Sequence, residues 1–186
     1  MIIGITGTDG GGKGTVVEYL VQKKGFIHCS ARALWVDEIR KRGLEVNRAN
    51  MRIVANELRA THGDDFLIAE YKQRTGLKLE NNYVIESLRA IAEVRTLKAF
   101  GGVLWAVDAD QKVRYDRIQS RASESDKISF EEFVEHEALE MNDPDPHGMQ
   151  KEKVMQMANE IFQNNGTPQE LFEQVEEALK NPKARS

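Results

Sequence analysis

The chain has 186 residues, one cysteine and a formal net charge of −4, with 40% hydrophobic and 30% charged residues. That length suits one α/β domain with a substantial core, and the composition excludes a disordered or fibrous chain. The acidic balance excludes a general footprint for nucleic acid, so any polyanion site must be local.

Residues 2–6 are a short apolar, β-branched run and are expected to form a strand. Gly7-Thr8-Asp9-Gly10-Gly11-Gly12-Lys13 follows at once, and Gly14-Thr15-Val16-Val17 opens a helix to about Lys24, closed by Gly25. A strand, a glycine loop with lysine and then a helix is the phosphate-cradling P-loop arrangement. Glycines let successive N–H groups turn inward, the helix terminus adds partial positive charge, and Lys13 adds a full one. The residue after Lys13 is Gly14 and the hydroxyl comes one later, at Thr15, so Mg²⁺ is expected to be held more through water.

Residues 26–29 are expected to be the second strand, with His28 packed within it and Cys29 a buried structural thiol. Ser30 caps a helix to about Arg42, and Asn47 caps another over residues 48–61 with Ile53, Val54 and Leu58 facing inward. Residues 66–75 are a further helix and 83–85 the third strand. A helix over 91–100 leads to an apolar fourth strand, 103–107. Helices are expected over 110–121, over 130–141 with Ser129 and Glu132 as a capping box, and over 151–157. Residues 123–127 read as a polar loop, 160–162 as a fifth strand, and 168–180 as a helix capped by Thr167. The tail 181–186 is expected to fray. Strands alternating with helices predict a parallel sheet covered on both faces, whose ligands bind outside the carboxyl ends of the strands.

Those ends carry the candidate residues. After the third strand, Glu86 is placed to hold Mg²⁺ or its waters, and Arg89 to reach an acceptor phosphate. After the fourth, Arg114, Arg117 and Arg121 share one helical face, as in a lid closing over phosphates. The bland reading of that stripe is a solvated face pairing with Asp110 and Asp116. After the second strand, Ser30, Arg32 and Arg40 are candidates for acceptor contact, as is Asp9 in the glycine loop. His62, His136 and His147 have no metal-ligand spacing.

The form Gly12-Lys13-Gly14-Thr15 resembles adenylate kinases and other nucleoside monophosphate kinases, and Asp9-Gly10 resembles the loop of thymidylate kinases. Further stretches are similar to dephospho-coenzyme A kinases and related nucleoside-monophosphate-kinase-like ATPases of the AAA family. These are Val107-Asp108-Ala109-Asp110, Arg117-Ile118 through Arg121, Phe130-Glu131-Glu132-Phe133 and Asn165-Gly166-Thr167-Pro168-Gln169-Glu170-Leu171. The resemblance implies a single P-loop NTPase domain over residues 1–186. It has a five-stranded parallel sheet, a helical acceptor-binding region at about 30–80 and a lid at about 117–136. It implies ATP and Mg²⁺ as cofactors, with Asp9, Gly10, Gly11, Gly12, Lys13, Gly14 and Thr15 on the phosphates and Asn165 and Gly166 near adenine. Lys13, Arg89, Arg117 and Arg121 would act in transfer, and Thr15 and Glu86 would serve the metal. Where dephospho-coenzyme A kinases carry Asp-x-Asp, this chain has Ser30-Ala31-Arg32. It has His136 where the lid often has arginine, and Glu86-Ser87 where many relatives have Asp-Gly.

The function expected is transfer of the ATP γ-phosphoryl group to a nucleotide, preferably a nucleoside or deoxynucleoside monophosphate, because an acceptor phosphate needs no general base. Dephospho-coenzyme A kinase is the alternative, and a nucleotide-binding regulatory ATPase the second. The protein is expected to be cytoplasmic, a monomer or homodimer, with no nucleic-acid or membrane partner: no apolar run approaches a membrane span, the first strand starts too early for a signal peptide, and one cysteine fits a reducing compartment.

Overall fold

The computed structural model describes residues 1–78, 80–120 and 128–180. The strands are β1 (Ile2–Gly7), β2 (Ile27–Ser30), β3 (Tyr83–Glu86), β4 (Val103–Asp108) and β5 (Glu160–Gln163). The helices are α1 (Lys13–Lys24), α2 (Ala31–Lys41), α3 (Arg48–His62), α4 (Phe66–Thr75), α5 (Ile91–Ala99), α6 (Gln111–Ser120), α7 (Phe130–Met141), α8 (Lys151–Gln156) and α9 (Pro168–Lys180). The five strands form one sheet in the order β2-β3-β1-β4-β5, and every pairing is parallel. This is the P-loop NTPase α/β fold.

Strand periodicity divides the core into two layers. Ile3, Ile5, Val84, Trp105 and Val107 pack with Val16, Val17 and Leu20 of α1 and Leu171 and Val175 of α9. Ile2, Ile85 and Leu104 pack on the other face with α2, α4, α5 and Val154 of α8. β1 lies in the middle of the sheet and is buried throughout, as a strand covered on both faces must be. Among the described residues, no helix is long and apolar enough to cross a membrane.

Ser30 and Asn47 cap α2 and α3, and Ser129 with Glu132 forms the capping box of α7, as their residue types predict. Two inward assignments are corrected. Ile53 is 49% exposed, because the buried stripe of α3 runs through Met51, Val54, Ala55 and Leu58, and Ile53 is one helical step off it. The His28 side chain is 39% exposed rather than packed, because β2 is an edge strand with little covering it. Cys29 on the opposite face is fully buried, and burial pushes its thiol up to about 11. The 123–127 loop and the 181–186 tail lie outside the described residues.

Candidate active site

Because every strand points the same way, Ser30, Glu86, Gly7, Asp108 and Gln163 line up in that order along one edge of the sheet. The P-loop leaves the centre of this edge. Gly7 has φ 130°, and a Cβ there would lie 2.0 Å from the Val107 carbonyl oxygen, so only glycine lets the chain turn off β1 against β4. Thr8 donates to Asp108 Oδ1 at 2.7 Å, and Asn164 Nδ2 donates to the Gly11 carbonyl at 2.8 Å, so the loops after β4 and β5 brace the turn. Gly10, Gly11 and Gly12 are buried. Gly12 ends the loop at the N-terminus of α1, and no side chain among the described residues caps that terminus. Its backbone donors are left for an anion. A Cβ on Gly14 would meet no protein atom within 4 Å, so packing within the chain does not demand a glycine there. Thr15 is half-buried on the first turn of α1.

Lys13 folds back over the loop. Its ammonium donates to the carbonyls of Gly7 at 2.9 Å and Thr8 at 2.7 Å and lies 3.4 Å from Asp9 Oδ1. Burial lowers its pKa to about 8, with the neighbouring charges of Lys151 and Arg89 acting the same way against the pull of Asp9. Arg89 approaches from the β3–α5 loop, its Nη2 3.7 Å from the same Asp9 oxygen. Leu88 N–H donates to the Ile5 carbonyl at 3.0 Å, and Thr6 donates to the Leu88 carbonyl at 2.8 Å, which fixes that loop to β1. Glu93 finishes it, accepting from the backbone N–H of Arg89 at 2.7 Å and of Ala90 at 3.0 Å. Burial acts to lower the Arg89 pKa, but the Glu140 and Asp9 carboxylates hold it above the usual value.

At the end of β3, Glu86 accepts from Ser30 Oγ at 2.6 Å through Oε1 and lies 3.2 Å from His28 Nε2 through Oε2. Burial disfavours its charge, yet hydrogen bonds from His28 and Ser30 and the nearby charge of Lys13 hold its pKa below the usual carboxylate range. Ser87, next in sequence, has φ 64°, the left-handed conformation that a glycine takes without cost. Among the described residues no group of three or more His, Cys, Asp or Glu is arranged to hold a metal. A Mg²⁺ ion held chiefly by phosphate oxygens and water, with one or two protein oxygens, fits that donor set.

The remaining expectations divide. Arg114 is not on an open arginine face. It is 5% exposed and donates through Nε to the Ala109 carbonyl at 2.7 Å, and it pairs with Glu137 of α7 rather than with Asp110 or Asp116. Arg117 is half-buried, and its Nη1 is buried without a hydrogen-bond partner among the described residues. Arg121 lies outside the described residues, as does part of the expected lid. Arg32 is exposed on the first turn of α2, with Nη1 3.4 Å from Met51 Sδ of α3. Arg40 is exposed in the last turn, about 12 Å of helix rise away, and is not brought to the strand ends with the others. Asn165 and Gly166 border an open groove of about 570 Å³ between β5 and α9 that also involves Glu170, Glu173 and Glu177. The Asn165 side chain is spent on Asp110, accepting from its N–H at 2.7 Å and donating to its carboxylate at 3.0 Å.

Two residues of the site were not anticipated. Lys151, the first residue of α8, is 2% exposed, with Nζ 3.4 Å from Asp9 Oδ1 and paired with Glu140 of α7. Glu140 Oε2 is also 3.5 Å from Arg89 Nη1. With Gln150, Glu152 and Lys153 beside it, Lys151 reads in the sequence as one more surface charge, and only the fold shows that it is buried.

The AAA domain family matches residues 3–140. A UPF0200 protein of Thermococcus kodakarensis is 30% identical over 96% of this chain and 96% of its own length, and one of Methanococcus maripaludis strain C7 is 28% identical over 97% and 96%. Among solved structures, TT1252 from Thermus thermophilus superposes with a TM-score of 0.66 at 20% identity over 98% of both chains. Shikimate kinase from Bacteroides thetaiotaomicron gives 0.61 at 14% identity over 98% of both, and that from Aquifex aeolicus 0.57 at 15% over 98% of both. The chain belongs to the AAA domain family and to the UPF0200 proteins, on the fold of the P-loop kinases.

Proposed function

We propose that the protein is an ATP-dependent phosphotransferase that moves the γ-phosphoryl group to a small nucleotide, preferably a nucleoside or deoxynucleoside monophosphate. The observation that carries this reading is the convergence of Lys13, Arg89 and Lys151 on the mouth of a P-loop whose helix terminus has no capping side chain. Three cations facing two carboxylates suit a ligand that brings phosphate charge. The glycine loop binds the donor phosphates through backbone donors. Lys13 turns from the Gly7 and Thr8 carbonyls to the phosphate oxygens, and Arg89 orients the acceptor. Arg117 and Arg121 are the side chains assigned to the charge of the transferring group, and Asp9, Ser30 and Arg32 those assigned to the acceptor. Thr15 and Glu86 are the side chains assigned to Mg²⁺, directly or through its waters, and the ion when bound neutralises charge on the donor phosphates.

A second reading has a specific observation behind it. Glu86 is held ionised 2.6 Å from Ser30 Oγ, at the strand end where a hydroxyl acceptor needs a base. This is the dephospho-coenzyme A kinase alternative, with Glu86 doing what the missing Asp would do.

Coupled assay of nucleoside monophosphates, deoxynucleoside monophosphates and dephospho-coenzyme A with ATP and Mg²⁺ tests both. Acceptor-stimulated ADP release is expected from a monophosphate, and release from dephospho-coenzyme A alone selects the second reading. ATP hydrolysis that no acceptor stimulates would replace both with a regulatory ATPase. Lys13→Ala is expected to cut turnover by about 100-fold or more with the fold intact.

A further inference from the structure

Burying an ammonium costs several kcal/mol unless strong partners surround it. Lys151 is 2% exposed, and its Nζ meets two carboxylates, Asp9 of the P-loop and Glu140 of α7. The same Asp9 oxygen is 3.4 Å from Lys13 and 3.7 Å from Arg89. Three cations from three separate elements therefore surround one point at the P-loop mouth, with two carboxylates among them.

Arg89 is not closed on either carboxylate. Its distances to Asp9 and Glu140 are 3.7 and 3.5 Å, against 2.9 Å from its Nη1 to the Met149 sulfur. Arg52, by contrast, makes two 2.6 Å bonds to Asp143. Fork geometry this loose leaves the Arg89 donors available to a tighter oxyanion. Glu140 fills the position such an oxyanion would take, since one oxygen, Oε2, meets both Lys151 and Arg89. It also stands in the last turn of α7, where the helix carries no basic residue and the macrodipole disfavours a carboxylate. The cavity bounded by Asp9, Glu140, Lys151 and Phe133 measures about 10 Å³. That is room for about one water on the α7 side of the cluster, and a phosphate oxygen bridging Lys151 and Arg89 would have to take the place of Glu140 Oε2 itself.

We propose that Lys151 is a phosphate-binding residue of this site, and that Glu140 is a built-in carboxylate that occupies its anion position until a ligand phosphate displaces it. The proposal rests on the phosphotransferase reading and adds a residue and a displacement step to it. A tetrahedral phosphate outcompetes the carboxylate because it carries more charge and offers three oxygens to Lys13, Arg89 and Lys151 at once. The phosphate comes either from the γ position of the donor or from the acceptor.

Calorimetric titration of the whole protein separates the sources without turnover, using the β,γ-imido analogue of ATP, ADP, and AMP added to ADP-loaded protein. With a γ-phosphate, Lys151→Ala weakens the imido analogue about tenfold and leaves ADP unchanged; with an acceptor phosphate, it weakens AMP about tenfold and leaves both donor nucleotides unchanged. Glu140→Gln tightens whichever ligand Lys151→Ala weakens, because the competing charge is gone. Affinities of both variants within about twofold of the native protein overturn the proposal. If Lys151→Ala does not fold, Glu140→Gln decides alone, with unchanged or weakened binding overturning the proposal. Absence of phosphotransfer to every acceptor would remove the kinase reading while leaving these shifts in binding in place.

Discussion

Ser30 donates its hydroxyl to Glu86 Oε1 at 2.6 Å, joining the carboxyl ends of β2 and β3 beside the root of the P-loop. The two proposed acceptors ask different things of this pair. Glu86→Gln is expected to lower turnover about 100-fold. With a nucleotide acceptor the loss comes with a higher Mg²⁺ requirement. With a hydroxyl acceptor the Mg²⁺ requirement stays the same and the acidic limb of the pH–rate profile disappears. That limb lies below the usual carboxylate range, because Glu86 is held ionised. Native turnover in Glu86→Gln would remove the residue from both readings.

Lys13 titrates at about 8 in the ligand-free protein, mainly because it is buried. Phosphate favours its charged form and raises that value in the complex. Nucleotide affinity should therefore be flat below pH 8 and fall above it, and binding at pH 8.5 should take up a proton. The same shift acts on folding in the opposite sense to a paired lysine. The unfolded chain binds more protons between the folded value and the ordinary 10.5, so the destabilisation from burying Lys13 charged is relieved as pH rises through that window. Titration in buffers of different ionisation enthalpy measures the proton uptake, and its absence would contradict the assignment.

The Arg59–Glu93 pair is nearly inaccessible, with side chains 3% and 0% exposed. Glu93 accepts from Arg59 Nη2 at 2.9 Å and also closes the Arg89 loop through two backbone N–H groups. Glu93→Ala should cost about 3–5 kcal/mol, since it leaves a buried guanidinium and two amides unpaired. Urea denaturation measures it. A loss under about 1 kcal/mol would mean water replaces the carboxylate.

Two glycines of the P-loop should respond differently to a methyl group. Gly7→Ala forces a Cβ onto the Val107 carbonyl at a φ of 130° and should destabilise the protein by about 2 kcal/mol or more. Gly14→Ala meets no protein atom, so stability should hold within about 1 kcal/mol. ATP affinity should nevertheless fall in Gly14→Ala if the ligand is what approaches that position. Thermal melting with and without ATP reads both effects.

Ser87 adopts φ 64° directly after Glu86. Ser87→Gly should stabilise the protein by about 1 kcal/mol, because the left-handed cost is removed and is only partly offset by the added freedom of the unfolded chain. A destabilised Ser87→Gly would indicate that the hydroxyl makes a compensating contact.

Local physics made much of this protein legible in its residues. Residues 2–15 specify a strand, a turn that only glycine can take, and a helix with a lysine at its start, because each depends on near neighbours alone. The caps Ser30, Asn47, Ser129 and Thr167 and the alternation of strands with helices follow from the same short-range rules, and a parallel sheet with its ligand edge follows from that alternation. Tertiary structure decided which charges meet. Arg114 and Arg117 lie on one helix three residues apart, yet Arg114 is buried against Glu137 while Arg117 keeps a buried nitrogen without a partner among the described residues. Lys151 is 142 positions from Asp9 and approaches it only because α8 packs back beside β1. A helical period shows which face a charged residue occupies, but not what the fold brings against that face. The P-loop could therefore be read from its own residues, and the cation cluster in front of it could not.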